Sequence, residues 1–230
     1  MEKRDALLKK VRRAYSAPTW WYDVRGFFIL VFAHRTSLWS LVRFFARNIE
    51  SRHLEIPVGS GTLLYFTLLW HRLKNPRTHR PAVTCIDYSE VMVSGSRHRL
   101  RRMNARGVFI ADAARLGCRS NYFQSINVAN GLHCFPDDEA ALNEVYRVLE
   151  PGRTLAANVV LHPRGTRVLR AVTAWIYRTA IARGLLVKPY AVPEIRGLVE
   201  RTGFAIEEEF VAGNTYHFIA RKPAFPCPGV

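Results

Sequence analysis

Cysteine is scarce in this sequence. Of the 230 residues only four are cysteines, Cys85, Cys118, Cys134 and Cys227. They show no C-x-x-C pair, and no histidines accompany them at the intervals that zinc-binding motifs use. The sequence therefore predicts neither a metal cluster nor a disulfide framework, and we expect reduced, mostly buried thiols.

Long apolar runs are also lacking. The longest, residues 27–33, lies between Arg25 and Arg35 and is far shorter than the ~20 apolar residues that a membrane-spanning helix needs. Residues 1–5 are polar and charged, and they do not lead into the apolar segment of a signal peptide. We expect a cytoplasmic protein without a transmembrane helix.

Acidic residues are few. Lysine and arginine number 34 against 18 for aspartate and glutamate, which gives a formal net charge of +16. Such a charge favours anionic partners, such as nucleic acid, acidic lipid headgroups or phosphorylated substrates. Arginine on solvated helix faces explains the same charge, and we interpret one basic cluster in that way: Arg97, Arg99, Arg101, Arg102 and Arg106.

The composition is otherwise that of a globular chain. Hydrophobic residues make up 49% and aromatic residues 12%, which is enough apolar material for one α/β domain with additions. We expect the domain over residues 51–222, with a helical insertion at about 163–190. A helical lid segment is expected over residues 1–50 and a flexible tail over 223–230.

The first 15 residues predict a short basic amphipathic helix. Leu7, Leu8 and Val11 recur at helical spacing among lysines and arginines. Such a helix can make peripheral contact with a membrane, or it can pack on its own domain with the basic face in water. The aromatic stretch that follows is predicted to be helical from Ser37, a suitable N-cap.

Short apolar runs alternate with helical patterns from His53 onward, which indicates βαβ units and a parallel sheet. The predicted strands are 53–57, 82–87, 107–111, 122–128, 154–161, 204–211 and 215–221. The predicted helices are 61–73, 89–104, 137–149, 164–186 and 193–202. The last two strands flank Ala212-Gly213-Asn214, which predicts a hairpin and so an antiparallel end to the sheet.

One glycine turn follows the first predicted strand. Residues 55–61 read Glu-Ile-Pro-Val-Gly-Ser-Gly, and Thr62 opens a helix. Glycines let the backbone approach a ligand closely, and a helix N-terminus offers free N–H groups. Leu64 occupies the third glycine position of a dinucleotide fingerprint, and the Lys-Ser/Thr ending of a P-loop is missing. The turn predicts a nucleotide-like ligand of another kind.

At this point the chain resembles the class I S-adenosylmethionine-dependent methyltransferases, in particular the small-molecule group called type 11. Pro57 replaces the first glycine of that family's D/E-x-G-x-G-x-G motif. Residues 83–92 resemble the second strand with its acid, and residues 107–114 the third. The longest match runs over 123–152 and includes Asn-Gly-Leu-His at 130–133.

The resemblance implies a Rossmann-like doubly wound sheet of seven strands in the order 3-2-1-4-5-7-6 with the last strand antiparallel. It implies S-adenosyl-L-methionine as the cofactor, with Asp87 on the ribose and Asp112 near the adenine amine. Tyr22-Asp23 matches a lid segment that closes over the cofactor in relatives. The implied cofactor-binding residues are Tyr22, Glu55, Pro57, Gly59, Gly61, Asp87, Tyr88, Met92, Asp112, Ala113, Asn127 and Val128.

For the chemical step, two histidines are candidate general bases. His133 and His162 both follow strands at the edge where open α/β sheets bind ligands, and both have structural alternatives. No Asn/Asp-Pro-Pro-Tyr/Phe motif follows the fourth strand, which disfavours adenine and glutamine as acceptors.

The predicted acceptor is a mostly apolar small molecule of natural-product, quinone or lipid type, methylated on O, N or C. Its pocket is expected between the aromatic N-terminal helices and the insertion with Trp175, Tyr177 and Tyr190. An RNA methyltransferase and a non-catalytic, S-adenosylmethionine-binding regulatory protein remain alternatives. The sequence does not determine the oligomeric state.

Overall fold

The computed structural model describes residues 19–76, 80–103 and 105–224. It begins with helix α1 (Thr19–Phe28), which continues into a π-helical turn (Ile29–His34). Helix α2 (Leu38–Ala46) follows, and the Ser37 hydroxyl caps it by accepting a hydrogen bond from the Ser40 N–H at 3.0 Å. The helix predicted from Ser37 is confirmed. The basic helix predicted over residues 1–15 lies outside the described residues.

Seven strands form one mixed sheet in the order β3-β2-β1-β4-β5-β7-β6. β1 to β5 run parallel, and β7 is antiparallel to both of its neighbours. The predicted fold class and strand order are confirmed. The strands are β1 (Arg52–Glu55), β2 (Ala82–Asp87), β3 (Ala105–Ile110), β4 (Phe123–Val128), β5 (Leu149–Val160), β6 (Ala205–Ala212) and β7 (Thr215–Arg221).

Helices on both faces of the sheet connect the strands. Aspartate and serine caps begin two of them: Ser89 accepts a hydrogen bond from the Met92 N–H at 3.4 Å, and Asp137 accepts one from the Ala140 N–H at 3.0 Å. The helices are α3 (Thr62–Lys74), α4 (Glu90–Leu100), a 3₁₀ turn (Leu132–Cys134), α5 (Asp138–Val148), α6 (Arg167–Ala182) and α7 (Val192–Arg201).

Several element boundaries differ from the prediction. β5 begins at Leu149, five residues earlier than the predicted 154, because Leu149 already pairs with Phe123 of β4. Helix α4 ends at Leu100, before the predicted end at 104, because a turn follows in which the Met103 N–H donates to the Leu100 carbonyl at 2.8 Å. Helix α6 covers Arg167–Ala182 and is shorter at both ends than the predicted 164–186. None of these differences changes the order of the elements.

The core lies on both faces of the central strands. On one face α5 and α7 cover β4, β5 and β7, and on the other α3 and α4 cover β1 and β2. Ile126, Leu155 and Phe218 have no exposed surface. This packing fixes the parallel strands so that the carboxyl ends of β1 to β4 share one edge of the sheet.

β1 has β2 on one side and β4 on the other. The chain fills the sheet on the β2 side of β1 first and then on its β4 side, so the strand order reverses at β1. Open α/β sheets form ligand crevices where the order reverses in this way. Among the described residues no single helix is long and apolar enough to cross a membrane. Helix α1 with its π turn, taken together with α2, is long and apolar enough, but the two parts are bent by 93° relative to each other.

Candidate functional site

A cavity lies at the carboxyl ends of β1 to β4, beneath α1. Eight of the residues that the resemblance assigned to the cofactor are brought together in its wall. They are Tyr22, Glu55, Pro57, Gly59, Asp87, Tyr88, Asp112 and Ala113. We call this space the first cavity.

The glycine turn between β1 and α3 forms the floor of the first cavity. Gly59 and Gly61 have φ angles of +54° and +78°, a region that favours glycine. A Cβ at Gly61 would lie 3.1 Å from the Ser96 Cβ, so this glycine lets α3 begin close against α4. Gly61 is not in the wall of the first cavity.

Pro57 replaces the first glycine of the family motif, and its ring has room because residue 131 is a glycine. A Cβ at Gly131 would collide with the Pro57 ring, and it would also meet Phe135 and Val128 at 3.0 Å. Glycine at 131 therefore gives the proline ring its space. The turn after Pro57 keeps its register, since the Val58 N–H donates to the Ile86 carbonyl at 2.8 Å.

Asp87 joins the ends of β1 and β2. Its Oδ2 accepts a hydrogen bond from the Gly59 N–H at 2.8 Å, and its Oδ1 accepts one from the Ser89 N–H at 2.9 Å. Burial raises the pKa of Asp87 to about 6, against the opposing effect of these backbone donors. The Tyr88 N–H is a third backbone donor to this carboxylate, which leaves one of its roughly four acceptor positions for a ligand hydroxyl.

Glu55 is buried at the end of β1 and belongs to a polar network under the cavity. His53 Nε2 lies 3.3 Å from Glu55 Oε2, and His53 Nδ1 lies 2.8 Å from the Ser125 hydroxyl. Burial is the main cause of the raised pKa of Glu55, and hydrogen bonds with His53 and Asn127 oppose it. The network holds the carboxyl group in a fixed orientation.

Three predicted cofactor residues do not reach the first cavity. Asn127 is fully buried and hydrogen-bonds Asn48 and Glu55, so it supports the wall from behind. Val128 and Met92 are buried in the core because their side chains point away from the crevice. Ala129 and Asn130, the next two residues along the chain, are in the wall instead.

Helix α1 covers the glycine turn. Asp23 accepts hydrogen bonds from the Ser60 hydroxyl and, at 2.9 Å, from the Thr62 hydroxyl. The Arg99 guanidinium donates to Asp23 Oδ2 at 2.9 Å and to the Ser60 carbonyl at 2.7 Å. Tyr22 lies over Gly59, where an added Cβ would be 3.7 Å from the tyrosine hydroxyl. We call this arrangement the α1 clamp.

The clamp corrects the interpretation of the basic cluster on α4. Arg99 is tied to the turn, and Arg97 donates to the Val108 carbonyl at 3.0 and 2.7 Å. Both are structural, whereas Arg101 and Arg102 are exposed. Sequence reasoning missed Arg99 because its partner Asp23 lies 76 residues away, and no local pattern links the two.

A second cavity adjoins the first. It lies between α1 with its π turn, α2 and α6, and much of its wall is apolar, including Phe27, Leu30, Leu41, Ile176 and Leu186. The two cavities share wall residues: Tyr22, Ser60, Thr62, Leu63, Asn130 and Cys134. A ligand in one cavity is therefore separated from a ligand in the other by a single layer of side chains or less.

Three polar side chains with buried, unused atoms line the second cavity. His34 Nδ1, His133 Nδ1 and the Tyr177 hydroxyl make no hydrogen bond within the part of the chain that the structure describes. The two imidazole rings are 6.2 Å apart at 89°. Burial, and then the nearby His217, lowers the pKa of His34 to about 4. Burial, and then His34, lowers the pKa of His133 to about 3. Both rings are neutral at physiological pH.

The remaining predicted residues occupy different places. His162 is exposed and lines neither cavity, because the chain turns away after β5. Trp175 is on the outer side of α6. Tyr190 is buried and its hydroxyl donates to Asp138 at 2.5 Å, which makes it a core residue. Of the three aromatic residues in the insertion, only Tyr177 lines the second cavity.

No cluster of three or more histidine, cysteine, aspartate or glutamate side chains suited to a metal ion occurs among residues 19–76, 80–103 and 105–224. The three cysteines in these ranges form no disulfide with one another.

Comparison with known proteins agrees with the geometry. A family model described as a methyltransferase domain matches residues 56–157. Over these residues the chain is similar to the class I S-adenosylmethionine-dependent methyltransferases. A structure from Thermotoga maritima, described as a possible histamine N-methyltransferase, superimposes with a TM-score of 0.62 at 19% identity and covers 86% of this chain and 95% of its own. That likeness supports the fold.

Two curated relatives are similar in sequence. The ubiquinone/menaquinone biosynthesis C-methyltransferase UbiE of Methylobacterium nodulans is 29% identical over 177 residues, 70% of this chain and 68% of the relative. The methyltransferase tpcH of Aspergillus fumigatus is 32% identical over 123 residues, 53% of this chain. The chain spans 43% of that second relative.

The first cavity fits the methyltransferase cofactor, S-adenosylmethionine. Asp87 keeps an acceptor position for a ribose hydroxyl, and Ala111 and Ala113 form a small-residue wall for a flat base. Gly59, with its positive φ, has no side chain between its backbone and the cavity beside Tyr22. These residues would hold the cofactor in the first cavity.

The Asp87 site predicts a pH-dependent affinity for S-adenosylmethionine. A hydroxyl donor favours the ionised carboxylate, so binding lowers the pKa of Asp87 from about 6 and releases a proton. Affinity should rise about tenfold from pH 5 to pH 7, measured by calorimetric titration. Asp87→Asn should weaken binding and remove this step. The control Asp112→Asn, a second carboxylate in the wall, should keep it. A pH-independent affinity in the parent protein would contradict the assignment.

The α1 clamp predicts coupled losses in cofactor affinity. Asp23 and Arg99 are partly exposed, so solvent screening reduces the worth of their ion pair. Each of Asp23→Ala and Arg99→Ala should weaken S-adenosylmethionine binding by about fivefold, and the double variant should be little worse than either. Arg102→Ala, an exposed arginine near the end of the same helix, is the matched control. Fully additive losses would show that the two residues act separately.

Proposed function

We propose that this methyltransferase moves the methyl group of S-adenosylmethionine to an O, N or C atom of a mostly apolar small molecule in the second cavity. The observation that carries the proposal is the wall shared by the two cavities. Because the two cavities share this wall, a methyl donor in the first cavity lies next to an acceptor in the second. Holding two reactants in line is worth roughly 7–11 kcal/mol of the barrier, so positioning supplies most of what the protein must do.

The lining of the second cavity supports the choice of acceptor. Apolar side chains from α1, α2 and α6 suit a hydrocarbon or aromatic body. His34, His133 and Tyr177 supply polar atoms without partners, which suit a hydroxyl or carbonyl at one end of the molecule. A relative named for ubiquinone and menaquinone biosynthesis makes a ring-bearing, quinone-type or lipid-type acceptor the first to test.

Bond changes in the transfer are simple. S-adenosylmethionine supplies a methyl group on a sulfonium, and its C–S bond breaks as the bond from carbon to the acceptor atom forms. If the acceptor atom carries a proton, that proton must leave. The neutral His133 ring can accept a hydrogen bond from an acceptor hydroxyl, which orients the oxygen toward the shared wall. The proton released in the transfer passes to water, and S-adenosylhomocysteine leaves with the electron pair of the broken C–S bond.

Blocking the second cavity should separate methyl transfer from cofactor binding. Ala180 lines only this cavity, so Ala180→Trp should fill it, reducing methyl transfer at least tenfold and leaving S-adenosylmethionine affinity unchanged. Ala182→Trp, an exposed position on the same helix, is the matched control and should keep full activity. Transfer of a labelled methyl group to a panel of small aromatic and lipid-like molecules, RNA and protein is the measurement.

The panel also distinguishes the alternatives. Labelling of RNA or protein alone would contradict a small-molecule acceptor. Binding of S-adenosylmethionine without transfer to any member of the panel would support a regulatory protein instead. A loss of transfer in Ala182→Trp equal to that in Ala180→Trp would remove the second cavity from the proposal.

His133 is expected to act on the acceptor and not on the cofactor. His133→Asn should lower kcat by about 10²-fold with S-adenosylmethionine affinity unchanged. Because the pKa of His133 is about 3 and that of His34 about 4, neither ring gains a proton between pH 5 and 8. At saturating S-adenosylmethionine, kcat should therefore show no step from these residues in that range. A step near pH 6.5 that disappears in His133→Asn would contradict this assignment.

A further inference from the structure

An apolar surface is exposed on α1 with its π turn and on α6. Its residues recur on each element at i, i+1, i+4 and i+7, the spacing of one helical face. Val168 is 71% exposed, Trp175 62% and Phe27 56%. We call this surface the apolar face, and its residues are Trp20, Trp21, Val24, Phe27, Phe28, Val31, Phe32, Val168, Leu169, Val172 and Trp175.

The two helical parts of the face are neighbours in the structure. Ile29 of the π turn packs with Ile176 and Ala180 of α6 in one small cluster. Both elements line the second cavity, and Phe27 belongs at once to the cavity wall and to the exposed face. The apolar face therefore lies beside an opening of the second cavity.

Unpaired charge around the face is basic, since Asp23, the acid of α1, is paired with Arg99. No aspartate or glutamate occurs in residues 24–49 or in residues 162–193. The second range carries five exposed arginines that form no ion pair within the described part of the chain: Arg164, Arg167, Arg170, Arg178 and Arg183. A contiguous apolar surface with a one-signed basic rim is complementary to a surface that is apolar beneath an anionic layer.

Other occupants fit this combination less well. In a two-fold dimer the face would meet its own copy, so unpaired arginines would stand against arginines. Single-stranded nucleic acid stacks its bases on aromatic rings, but the aliphatic Val168, Leu169 and Val172 offer no ring. A bilayer surface accepts all three features, because tryptophan and arginine favour the interface and aliphatic side chains enter the acyl region.

We propose that the apolar face binds the surface of a bilayer that contains anionic lipids. The chain then lies on the membrane with the second cavity opening toward the lipid. An apolar acceptor dissolved in the bilayer reaches the cavity past Phe27 without crossing water. This last step rests on the proposed function, whereas lipid binding itself does not.

Vesicle sedimentation tests the proposal with the full chain. We expect binding to vesicles of phosphatidylcholine with phosphatidylglycerol, weak binding to phosphatidylcholine alone, and release by salt. Tryptophan fluorescence should shift to the blue on binding and should be quenched by lipids brominated on their acyl chains. Val168→Ser/Trp175→Ser and, separately, Arg167→Glu/Arg170→Glu should each reduce partitioning at least about tenfold.

Matched controls come from other surfaces. Leu73→Ser replaces a side chain that is 73% exposed on α3, and Arg101→Glu/Arg102→Glu reverses two exposed arginines after α4. Both controls should bind vesicles as the parent does. Thermal unfolding and S-adenosylmethionine affinity verify that every variant is folded, and methyl transfer to a soluble acceptor is measured separately, so a failure of the proposed function is recognised as such.

Three results would overturn the proposal. One is no binding to phosphatidylglycerol vesicles at low salt. Another is equal loss of binding in the control variants. The third is evidence for a different occupant of the apolar face. That evidence would be a dimer in sedimentation equilibrium that Val168→Ser/Trp175→Ser dissociates. It would equally be RNA binding that the variants of the apolar face lose while they still bind vesicles.

Discussion

The hydrogen bond from the Gly59 N–H to the Asp87 carboxylate joins the ends of two neighbouring strands. It fixes the left-handed turn on which α3 begins. Asp23 and Arg99 then attach α1 to the next residues of the same turn, Ser60 and Thr62. One side of the turn becomes the floor of the first cavity, and the other becomes part of the wall shared with the second. A shift of this turn would therefore move the floor of the first cavity and the shared wall together.

Sequence patterns predicted the parallel sheet with its antiparallel end, and the family resemblance implied its strand order and most of the residues in the wall of the first cavity. These residues meet for a physical reason: Glu55 and Asp87 end strands, Asp112 follows one, and parallel strands bring their ends to one edge. The failures are of two kinds. The resemblance implied Asn127, Val128 and Met92 as cofactor-binding residues, but their side chains are buried outside the wall of the first cavity. The second cavity could be located only roughly, because its walls come from segments about 140 residues apart.

Pro57 and Gly131 illustrate a dependence that a motif does not express. A proline ring in place of the family's first glycine needs volume, and the missing side chain at 131 provides it. The two positions belong to different motifs, one after β1 and the other after β4. Considered alone, Pro57 is a departure from the motif and Gly131 is an ordinary loop glycine. In the structure they form one packed contact, so the departure at position 57 does not weaken the case for a cofactor site.

The second cavity combines features that rarely occur together in a protein core. Buried polar atoms are normally hydrogen-bonded, because an unpaired one costs about 1–3 kcal/mol. Here His34, His133 and Tyr177 each leave one unpaired beside apolar walls. Burial also keeps both imidazoles neutral, so they can accept a proton in a hydrogen bond. A molecule with an apolar body and a hydroxyl at one end would pair these atoms and fill the space. The arrangement thus selects for shape and for one polar group, while the shared wall determines which atom of that molecule faces the methyl donor.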